Sequence, residues 1–263
     1  MKIKKGDTEA EILTRGAYLY SFKIGSKDVI LKGDMERPTR GGMAILVPFA
    51  NRIKDGEYVF EGIKYTLPKN REGNAIHGLV LDKDFNVISK GEDNISLEYI
   101  VEHEGYPTRL ECVITYKIFK HGLRTKINIK NVGNRRAPLT VGAHPYFMVA
   151  DDWTILTEKE DSVKKCVSFN KIPTGELIKT KLEHTDYDDC FLINGGIQLS
   201  SSYSKVRIIR RNMPFVQIYT GVRGAVAIEP MSGAPDAFHN GLGLKILEPN
   251  ESAYFSFTLR FHV

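Results

Sequence analysis

Residues 252–263 read SAYFSFTLRFHV, in which apolar and polar side chains alternate. The apolar positions are every second residue from 255 onward, namely Phe255, Phe257, Leu259, Phe261 and Val263, and the polar positions between them are Ser256, Thr258, Arg260 and His262. A period of two places one face of a strand in a core and the other face in water. This segment is therefore predicted to be a strand of an antiparallel sheet.

The same alternation recurs upstream, in residues 95–101 and 110–118. Lys120, His121 and Gly122 follow the second of these segments, and alternation resumes over 123–129. A short turn between two alternating segments predicts a β-hairpin.

Many further short strands are predicted, and no segment of helical length shows apolar residues at intervals of three and four. The additional strand candidates are 9–14, 17–24, 57–67 with a turn at Glu61-Gly62, 84–90, 137–142, 205–211, 214–220 and 225–229. The strand–helix alternation of a parallel α/β sheet is absent. The sequence predicts an all-β fold, a large antiparallel β-sandwich with few or no long helices, as a single domain over residues 1–263.

The composition is that of an ordinary globular protein, with 42% hydrophobic and 26% charged residues in 263. No apolar run approaches the roughly 18 residues of a membrane-spanning helix, and residues 1–7 lack the hydrophobic core of a secretory signal. We therefore expect a cytoplasmic protein with no membrane partner. Cys112, Cys166 and Cys190 show no close spacing, so a disulfide framework and a structural zinc site are not expected, and all three are predicted to be buried or inert thiols.

Lysine and arginine exceed aspartate and glutamate by 37 to 32, a formal charge of +5. The arginines at 207, 210 and 211 would be divided between the two faces of a strand, and no aromatic residues are interleaved with them. We therefore expect no nucleic-acid partner.

Polar groups embedded among apolar neighbours mark the candidate site. They fall in or beside the longest stretches predicted to be irregular, 33–55, 68–83, 143–152 and 230–250, or near 188. The segments are Asn51-Arg52-Ile53, Ile76-His77-Gly78, Ala143-His144-Pro145-Tyr146-Phe147, Asp188-Asp189-Cys190-Phe191 and Ile228-Glu229-Pro230. Because Pro230 cannot donate to a sheet ladder, Glu229 is predicted to lie at the rim of the sheet. Each segment could form an internal ion pair or a site that faces a cleft.

In this order, followed by Pro235-Asp236-Ala237, these segments resemble the aldose 1-epimerase (galactose mutarotase) family from about residue 40 to the carboxyl end. The resemblance implies a β-sandwich of the galactose mutarotase type that interconverts the α and β anomers of a free aldose such as glucose or galactose. It implies that Glu229 is the catalytic base, that His144 is the acid and that His77 donates a hydrogen bond near the ring oxygen. Arg52 and Asp188 would bind sugar hydroxyls.

No metal or cofactor is expected, and the predicted partner is a small sugar bound by a monomer or homodimer. The sugar itself stays open, because galactose-acting members often carry asparagine where this chain has Ala143. A related branch acts on hexose 6-phosphates, for which Arg40, assisted by Arg37 and Arg71, could bind the phosphate. Asp189, which does not fit the family's Asp-x-x-Phe spacing, is expected to be exposed.

The sequence leaves two other classes of function open. Asp188 and Glu229 could be the carboxylate pair of a glycosidase, but the two histidines would then have no role. A non-catalytic sugar-binding protein would need an aromatic platform, for which the candidates are Trp153, Tyr146, Phe147 and Phe238.

Overall fold

The computed structural model describes residues 1–262, and the prediction for Val263 lies outside the described residues. The strands are β1 (Lys2–Lys5), β2 (Thr8–Ile12), β3 (Leu19–Ile24), β4 (Lys27–Ile30), β5 (Met43–Leu46), β6 (Arg52–Ile53), β7 (Glu57–Phe60), β8 (Ile63–Thr66), β9 (Ala75–Ile76), β10 (Asn86–Lys90), β11 (Asn94–Val101), β12 (Leu110–Phe119), β13 (Gly122–Asn131), β14 (Ala137–Leu139), β15 (Gly142–Met148), β16 (Thr154–Thr157), β17 (Lys164–Phe169), β18 (Ile172–Lys179), β19 (Asp188–Leu192), β20 (Ile197–Ser200), β21 (Lys205–Arg211), β22 (Phe215–Val222), β23 (Ala225–Met231), β24 (Lys245–Leu247) and β25 (Ser252–His262). The helical segments are α1 (Ala237–Asn240) and two single 3-10 turns, Lys54–Gly56 and Glu160–Ser162. The all-β prediction is confirmed.

Two large antiparallel sheets form the body of the protein. The larger sheet has eleven strands in the order β1-β2-β3-β4-β15-β23-β22-β19-β17-β18, with β5 paired to β15 and β3. The smaller sheet has eight strands in the order β10-β11-β12-β13-β25-β21-β20-β16. The pairs β6-β9, β7-β8 and β14-β24 form two-stranded ribbons. No helix in residues 1–262 has the length and apolar character needed to cross a membrane.

The two large sheets pack face to face around one apolar core. Phe22 and Phe147 of the larger sheet lie with ring centroids 5.4 and 6.2 Å from that of Phe261 in the smaller sheet. Phe255, Phe257, Leu259 and Phe261 of β25 are all buried in this core, as the alternation of the sequence predicted. The apolar area removed from water along such strands is the main stabilising contribution to the fold.

Several strands predicted from alternation are confirmed within a few residues. The hairpin β12–β13 turns at Lys120-His121, and the predicted turn at Glu61-Gly62 separates β7 from β8. Both Glu61 and Gly62 have positive φ, 52° and 76°, which suits a two-residue hairpin turn.

Four stretches predicted to be irregular contain regular structure. The prediction that residues 143–152 form a loop is wrong for 143–148, which belong to strand β15. Strands β5 and β6 lie within 33–55, β9 within 68–83, and α1 and β24 within 230–250. β15 was missed because both of its faces are buried, which removes the alternation on which the prediction depends.

Candidate active site

A cavity of about 390 Å³ lies on the face of the larger sheet that is turned away from the smaller sheet. In β23, Val226 and Ile228 belong to the core between the sheets, so the period of two turns Glu229 to the opposite face. The cavity is lined by Thr39, Arg40, Asn51, Arg52, Asn70, Arg71, Glu72, Ile76, His77, His144, Tyr146, Lys171, Asp188, Gln217, Tyr219 and Glu229. The structure therefore brings the five predicted site residues, Glu229, His144, His77, Arg52 and Asp188, into one cavity.

His144 and Glu229 form a contact between adjacent strands. Gly142 pairs with Met231 and Tyr146 with Ala227, so the register places His144 of β15 opposite Glu229 of β23. The Nε2 atom of His144 lies 3.2 Å from Oε1 of Glu229, and the two side chains are only 6% and 2% exposed. Two strands in the middle of the sheet hold this pair, which makes its geometry rigid.

The prediction that Glu229 lies at the rim is wrong. Glu229 lies inside β23, which is flanked by β15 and β22, and it pairs in register with Gln217 of β22. Pro230 is tolerated within this strand opposite Val216. The pKa of the Glu229 carboxyl group is therefore determined by burial in the middle of a sheet and not by exposure at an edge.

Burial shifts both members of the pair toward their uncharged forms. It lowers the pKa of His144 to about 3, and the nearby Arg40 guanidinium acts in the same direction. Burial raises the pKa of Glu229 well above its usual value, and the Asp188 carboxylate raises it further. Both shifts favour the uncharged pair, in which the carboxyl proton can be shared across the 3.2 Å contact between the two side chains.

His77 lies in a tight turn that follows β9. Its φ is 63°, its N–H donates to the carbonyl of Asn51 at 2.8 Å, and Gly78 follows with φ of 80°. A Cβ on Gly78 would lie 2.3 Å from the Val47 carbonyl oxygen, so this turn requires glycine. The His77 and His144 rings are 5.3 Å apart at 77°, and burial lowers the pKa of His77 well below its usual value. His77 is thus a neutral imidazole beside the acid–base pair.

Arg52 is held at the side of the cavity by the ribbon β6–β9. Its Nε donates to Oε2 of Glu72 at 2.9 Å, and its Nη1 donates to Oδ1 of Asn51 at 3.2 Å. The Arg52 side chain is 9% exposed, so the guanidinium is fixed and only partly reached by solvent. A fixed planar donor of this kind suits a hydroxyl-rich ligand.

Asp188 begins β19 and accepts two hydrogen bonds. Gln217 donates from Nε2 to Oδ1 at 2.9 Å, and Lys171 donates from Nζ to Oδ2 at 3.1 Å. Asp189 alternates to the other face of the strand, where it pairs with Lys165 at 2.8 Å outside the cavity. The period of two therefore separates the twin aspartates.

Tyr146 positions the imidazole of His144. The two rings stack with centroids 4.9 Å apart at 23°, since residues 144 and 146 share one face of β15. The Tyr146 hydroxyl donates to the carbonyl of Thr39 at 2.7 Å. This contact fixes the phenol ring and, through it, the plane of the imidazole.

Four polar atoms in the cavity are buried and have no hydrogen-bond partner among the described residues. They are His77 Nδ1, His144 Nδ1, Gln217 Oε1 and Glu229 Oε2, half of the eight such side-chain atoms in residues 1–262. Buried polar groups are nearly always satisfied in folded proteins. Their concentration on one cavity indicates a site shaped for a polar ligand.

The remaining predicted residues are divided between the cavity and other places. Arg40 and Arg71 line the cavity, and Arg40 donates from Nη1 to the Tyr219 hydroxyl at 3.0 Å. Arg37 instead pairs with Asp34 at 3.0 Å.

Of the four aromatic candidates, only Tyr146 lines the cavity. Trp153 stacks on His184 at a second cavity, Phe147 is fully buried in the core, and Phe238 packs on Tyr58. An aromatic platform for sugar binding is therefore not assembled by these residues.

Four residues that line the cavity were not predicted from the sequence, namely Gln217, Glu72, Lys171 and Tyr219. Gln217 could have been found, because it is a polar residue inside the apolar run Phe215-Val216-Gln217-Ile218. Glu72 and Lys171 lie in polar segments that give no such signal.

The cysteines are free and buried, as predicted. Cys166 and Cys190 lie 24 residues apart in sequence, yet they are neighbours on β17 and β19 with Sγ atoms 3.3 Å apart. Cys190 pairs in register with Gln217, which places this thiol pair at the end of the row that contains Glu229 and His144.

Fold and site together define an all-β protein in which a buried histidine–glutamate pair faces a small polar cavity. The chain belongs to the aldose 1-epimerase family, whose model matches residues 1–260. The resemblance drawn from the five sequence segments is thus confirmed, and with it the class of carbohydrate epimerases.

Individual relatives agree with this family membership. The protein YihR of Escherichia coli is 28% identical over an aligned length of 278 residues. The alignment covers 94% of this chain and 88% of that protein. Galactose mutarotase of Rattus norvegicus is 31% identical over 164 residues, 57% of this chain and 47% of the rat protein. A galactose mutarotase-like protein of Clostridium acetobutylicum superimposes with a TM-score of 0.88 at 18% identity, over 99% of this chain and 94% of that chain. This last similarity confirms the galactose mutarotase type of sandwich.

Proposed function

We propose that this protein is an aldose 1-epimerase that interconverts the α and β anomers of a free aldose such as glucose or galactose. The observation that carries the proposal is the buried contact of 3.2 Å between His144 Nε2 and Glu229 Oε1, which faces a polar cavity. A cavity of about 390 Å³ is within the range of small-molecule sites. The unpartnered polar atoms around it suit a ligand rich in hydroxyl groups.

Mutarotation requires two proton transfers. Glu229 removes the proton of the anomeric hydroxyl while His144 protonates the ring oxygen, and the bond between the anomeric carbon and the ring oxygen breaks. The resulting aldehyde turns about its bond to the next carbon, and the ring closes on its other face as the proton transfers reverse. A base and an acid placed in this way each contribute about 10²–10⁴-fold to the rate.

The reactive form of the pair has its proton on His144 and a carboxylate on Glu229. Burial alone favours the uncharged form, in which the proton is on Glu229. A sugar hydroxyl that donates to the unpartnered Oε2 of Glu229 stabilises the carboxylate and moves the proton to the imidazole. Substrate binding thus prepares the acid and the base together.

The neighbouring side chains orient the sugar. His77 is neutral and donates a hydrogen bond near the ring oxygen, where negative charge develops as the ring opens. Arg52 donates a hydrogen bond to one sugar hydroxyl. Asp188 accepts a hydrogen bond from another hydroxyl, because its carboxylate can accept more bonds than the two that Gln217 and Lys171 donate.

A hexose 6-phosphate is the second candidate substrate. The observation in its favour is that Arg40 and Arg71 line the cavity and that Arg40 has a hydroxyl, not a carboxylate, as its hydrogen-bond partner. A phosphate group would pair with these guanidinium groups.

Polarimetry tests the proposal directly. Freshly dissolved α-D-glucose and α-D-galactose are followed to anomeric equilibrium with the wild-type protein, with its Glu229→Gln variant and without protein, and pentoses and glucose 6-phosphate are tested next. We expect the wild-type protein to accelerate equilibration of at least one of these sugars and the variant to lose that effect.

Two other outcomes would contradict the proposal. Binding of a sugar by calorimetry with no acceleration of mutarotation would favour a non-catalytic sugar-binding protein. Release of the leaving group from a chromogenic glycoside would favour a glycosidase with Asp188 and Glu229 as its carboxylates.

A further inference from the structure

The hairpin between β17 and β18 carries a lysine at a position that favours glycine. Phe169 pairs with Ile172, so the turn consists of Asn170 and Lys171, whose φ values are 49° and 64°. Two positive φ values define a type I′ turn, for which Asn-Gly is the preferred sequence. A lysine in the second position is strained, because its Cβ crowds the backbone in the left-handed region. The backbone thus gives no reason for lysine at 171.

The side chain of Lys171 lines the cavity and bridges two of its carboxylate groups. Its Nζ is 3.1 Å from Oδ2 of Asp188 and 3.5 Å from Oε1 of Glu72. Asp188 begins β19, whereas Glu72 lies between β8 and β9, so the ammonium joins three separate parts of the chain. The Lys171 side chain is 48% exposed, which leaves it accessible from the solvent side.

These contacts continue into a chain of hydrogen bonds around the cavity. Glu72 also accepts from Arg52 at 2.9 Å, and Asp188 also accepts from Gln217 at 2.9 Å. Lys171 therefore closes a series of alternating charges, Arg52–Glu72–Lys171–Asp188, that contains the residues proposed to bind sugar hydroxyls. An ammonium group has three N–H donors, of which these contacts occupy two.

We infer that Lys171 is a further substrate-binding residue, which donates its third N–H to a sugar hydroxyl remote from the reacting carbon. The inference rests on the proposed function. The hydroxyl is remote from the reaction because Lys171 contacts Asp188 and Glu72, whereas proton transfer is assigned to His144 and Glu229. Lys171 accordingly contributes to binding and selectivity, and the chemical step does not depend on it.

Three variants test this role. Lys171→Met keeps the length of the side chain but removes its charge and its hydrogen-bond donors. Lys171→Gly removes the same groups and also relieves the backbone strain of the positive φ at residue 171. Lys179→Met is the matched control, because Lys179 is on the same hairpin, is 67% exposed and pairs with Asp161 at 3.4 Å. All four proteins are compared by polarimetric kinetics, by calorimetric titration with the preferred sugar and by thermal unfolding.

We expect both Lys171 variants to raise KM and the calorimetric Kd about tenfold, as for the loss of one charge-assisted hydrogen bond at a half-exposed position, with kcat changed less than threefold. Lys179→Met should leave these constants at their wild-type values. Lys171→Gly should melt about 2–4 °C above Lys171→Met, because both lose the same ion pairs and only glycine relieves the left-handed strain.

The outcomes separate this inference from the proposed function. An active wild-type protein with an unchanged KM in Lys171→Met would overturn the inference and leave the epimerase proposal standing. A wild-type protein without epimerase activity would overturn the proposed function, and a tenfold loss of sugar affinity in Lys171→Met would still support the role in binding. A wild-type protein that neither accelerates mutarotation nor binds a sugar would overturn the inference and the proposed function together. A glycine variant no more stable than the methionine variant would refute the strain at residue 171.

Discussion

Replacing Glu229 by glutamine should abolish most of the activity and at the same time stabilise the protein. Glutamine has nearly the same shape, so it fits the buried position, but it cannot accept the proton of the anomeric hydroxyl. Loss of one general base costs about 10²–10⁴-fold in kcat, or roughly 3–5 kcal/mol of transition-state stabilisation.

The effect on stability has the opposite sign and depends on pH. Because burial raises the pKa of Glu229, the folded state binds a proton more tightly than the unfolded state does. The contribution of Glu229 to the free energy of unfolding is complete below its unfolded-state pKa of about 4.3. This contribution is lost as the pH rises through the folded-state pKa. Glutamine has no such loss, so the variant should match the wild-type protein near pH 4 and exceed it at pH 8.

The size of this difference follows from proton linkage. Each tenfold difference in proton affinity between the folded and unfolded states is worth about 1.4 kcal/mol, and 1 kcal/mol corresponds to about 2–4 °C in Tm for a chain of this size. His77 is present in both proteins and does not contact residue 229 through a hydrogen bond, so the comparison reports on the His144–Glu229 pair.

Two assays check this prediction. Polarimetry gives kcat for the wild-type protein and for Glu229→Gln, and circular dichroism gives the Tm of both from pH 4 to pH 8. Activity of the variant within tenfold of wild type would refute the assignment of the base. If the variant has a lower Tm than the wild-type protein at pH 8, the claim that the buried Glu229 carboxylate destabilises the folded state is refuted.

The remaining predictions concern the acid, the binding residues and the pH dependence. His144→Asn should lower kcat at least a hundredfold in the same polarimetric assay, because no other side chain is assigned to protonate the ring oxygen; a loss below tenfold would exclude His144 as the acid. Arg52→Ala should raise KM by about 10–100-fold with a smaller change in kcat, because Arg52 makes its hydrogen bonds to Glu72 and Asn51 and acts on Glu229 only through its charge, which lowers the pKa of that carboxyl group. An equal fall in kcat and kcat/KM would contradict a role mainly in binding. The pH profile of kcat/KM between pH 4 and pH 10 should show an alkaline limb and no acid limb, because activity requires a proton on the pair: burial raises the pKa of Glu229, so the proton is lost only above the usual carboxyl range, and it lowers the pKa of His144 to about 3, below the range measured. A profile without an alkaline limb would show that no such proton is needed.

The sequence predicted the strands that have one buried and one solvent-facing side. Strand β25, whose apolar residues from Phe255 to Phe261 are buried at every second position, is the clearest example. Strand β17 was missed for the opposite reason to β15, since it lies near the edge of the larger sheet and most of its side chains are at least partly exposed. Periodicity identifies a strand only when its two faces meet different surroundings.

The candidate site was also predicted only in part, because the sequence indicated some of its residues but not their contacts. The five predicted residues were found because they lie in segments that resemble a family, yet the sequence does not show that His144 and Glu229 are directly opposed on neighbouring strands. That contact is a consequence of the register between β15 and β23, which brings together two residues 85 positions apart in the sequence. Glu72 and Lys171 could not be predicted because their contacts join segments 99 residues apart in the chain.

His144 and Glu229 lie on two central strands, whereas Arg52, Glu72 and Lys171 come from ribbons and turns around them. Under the proposed function, an insertion or substitution in those peripheral segments would change which sugar is accepted without moving His144 relative to Glu229. The scaffold would then allow diversification for new sugars, by evolution or by loop exchange in the laboratory, with the proposed ring-opening step retained.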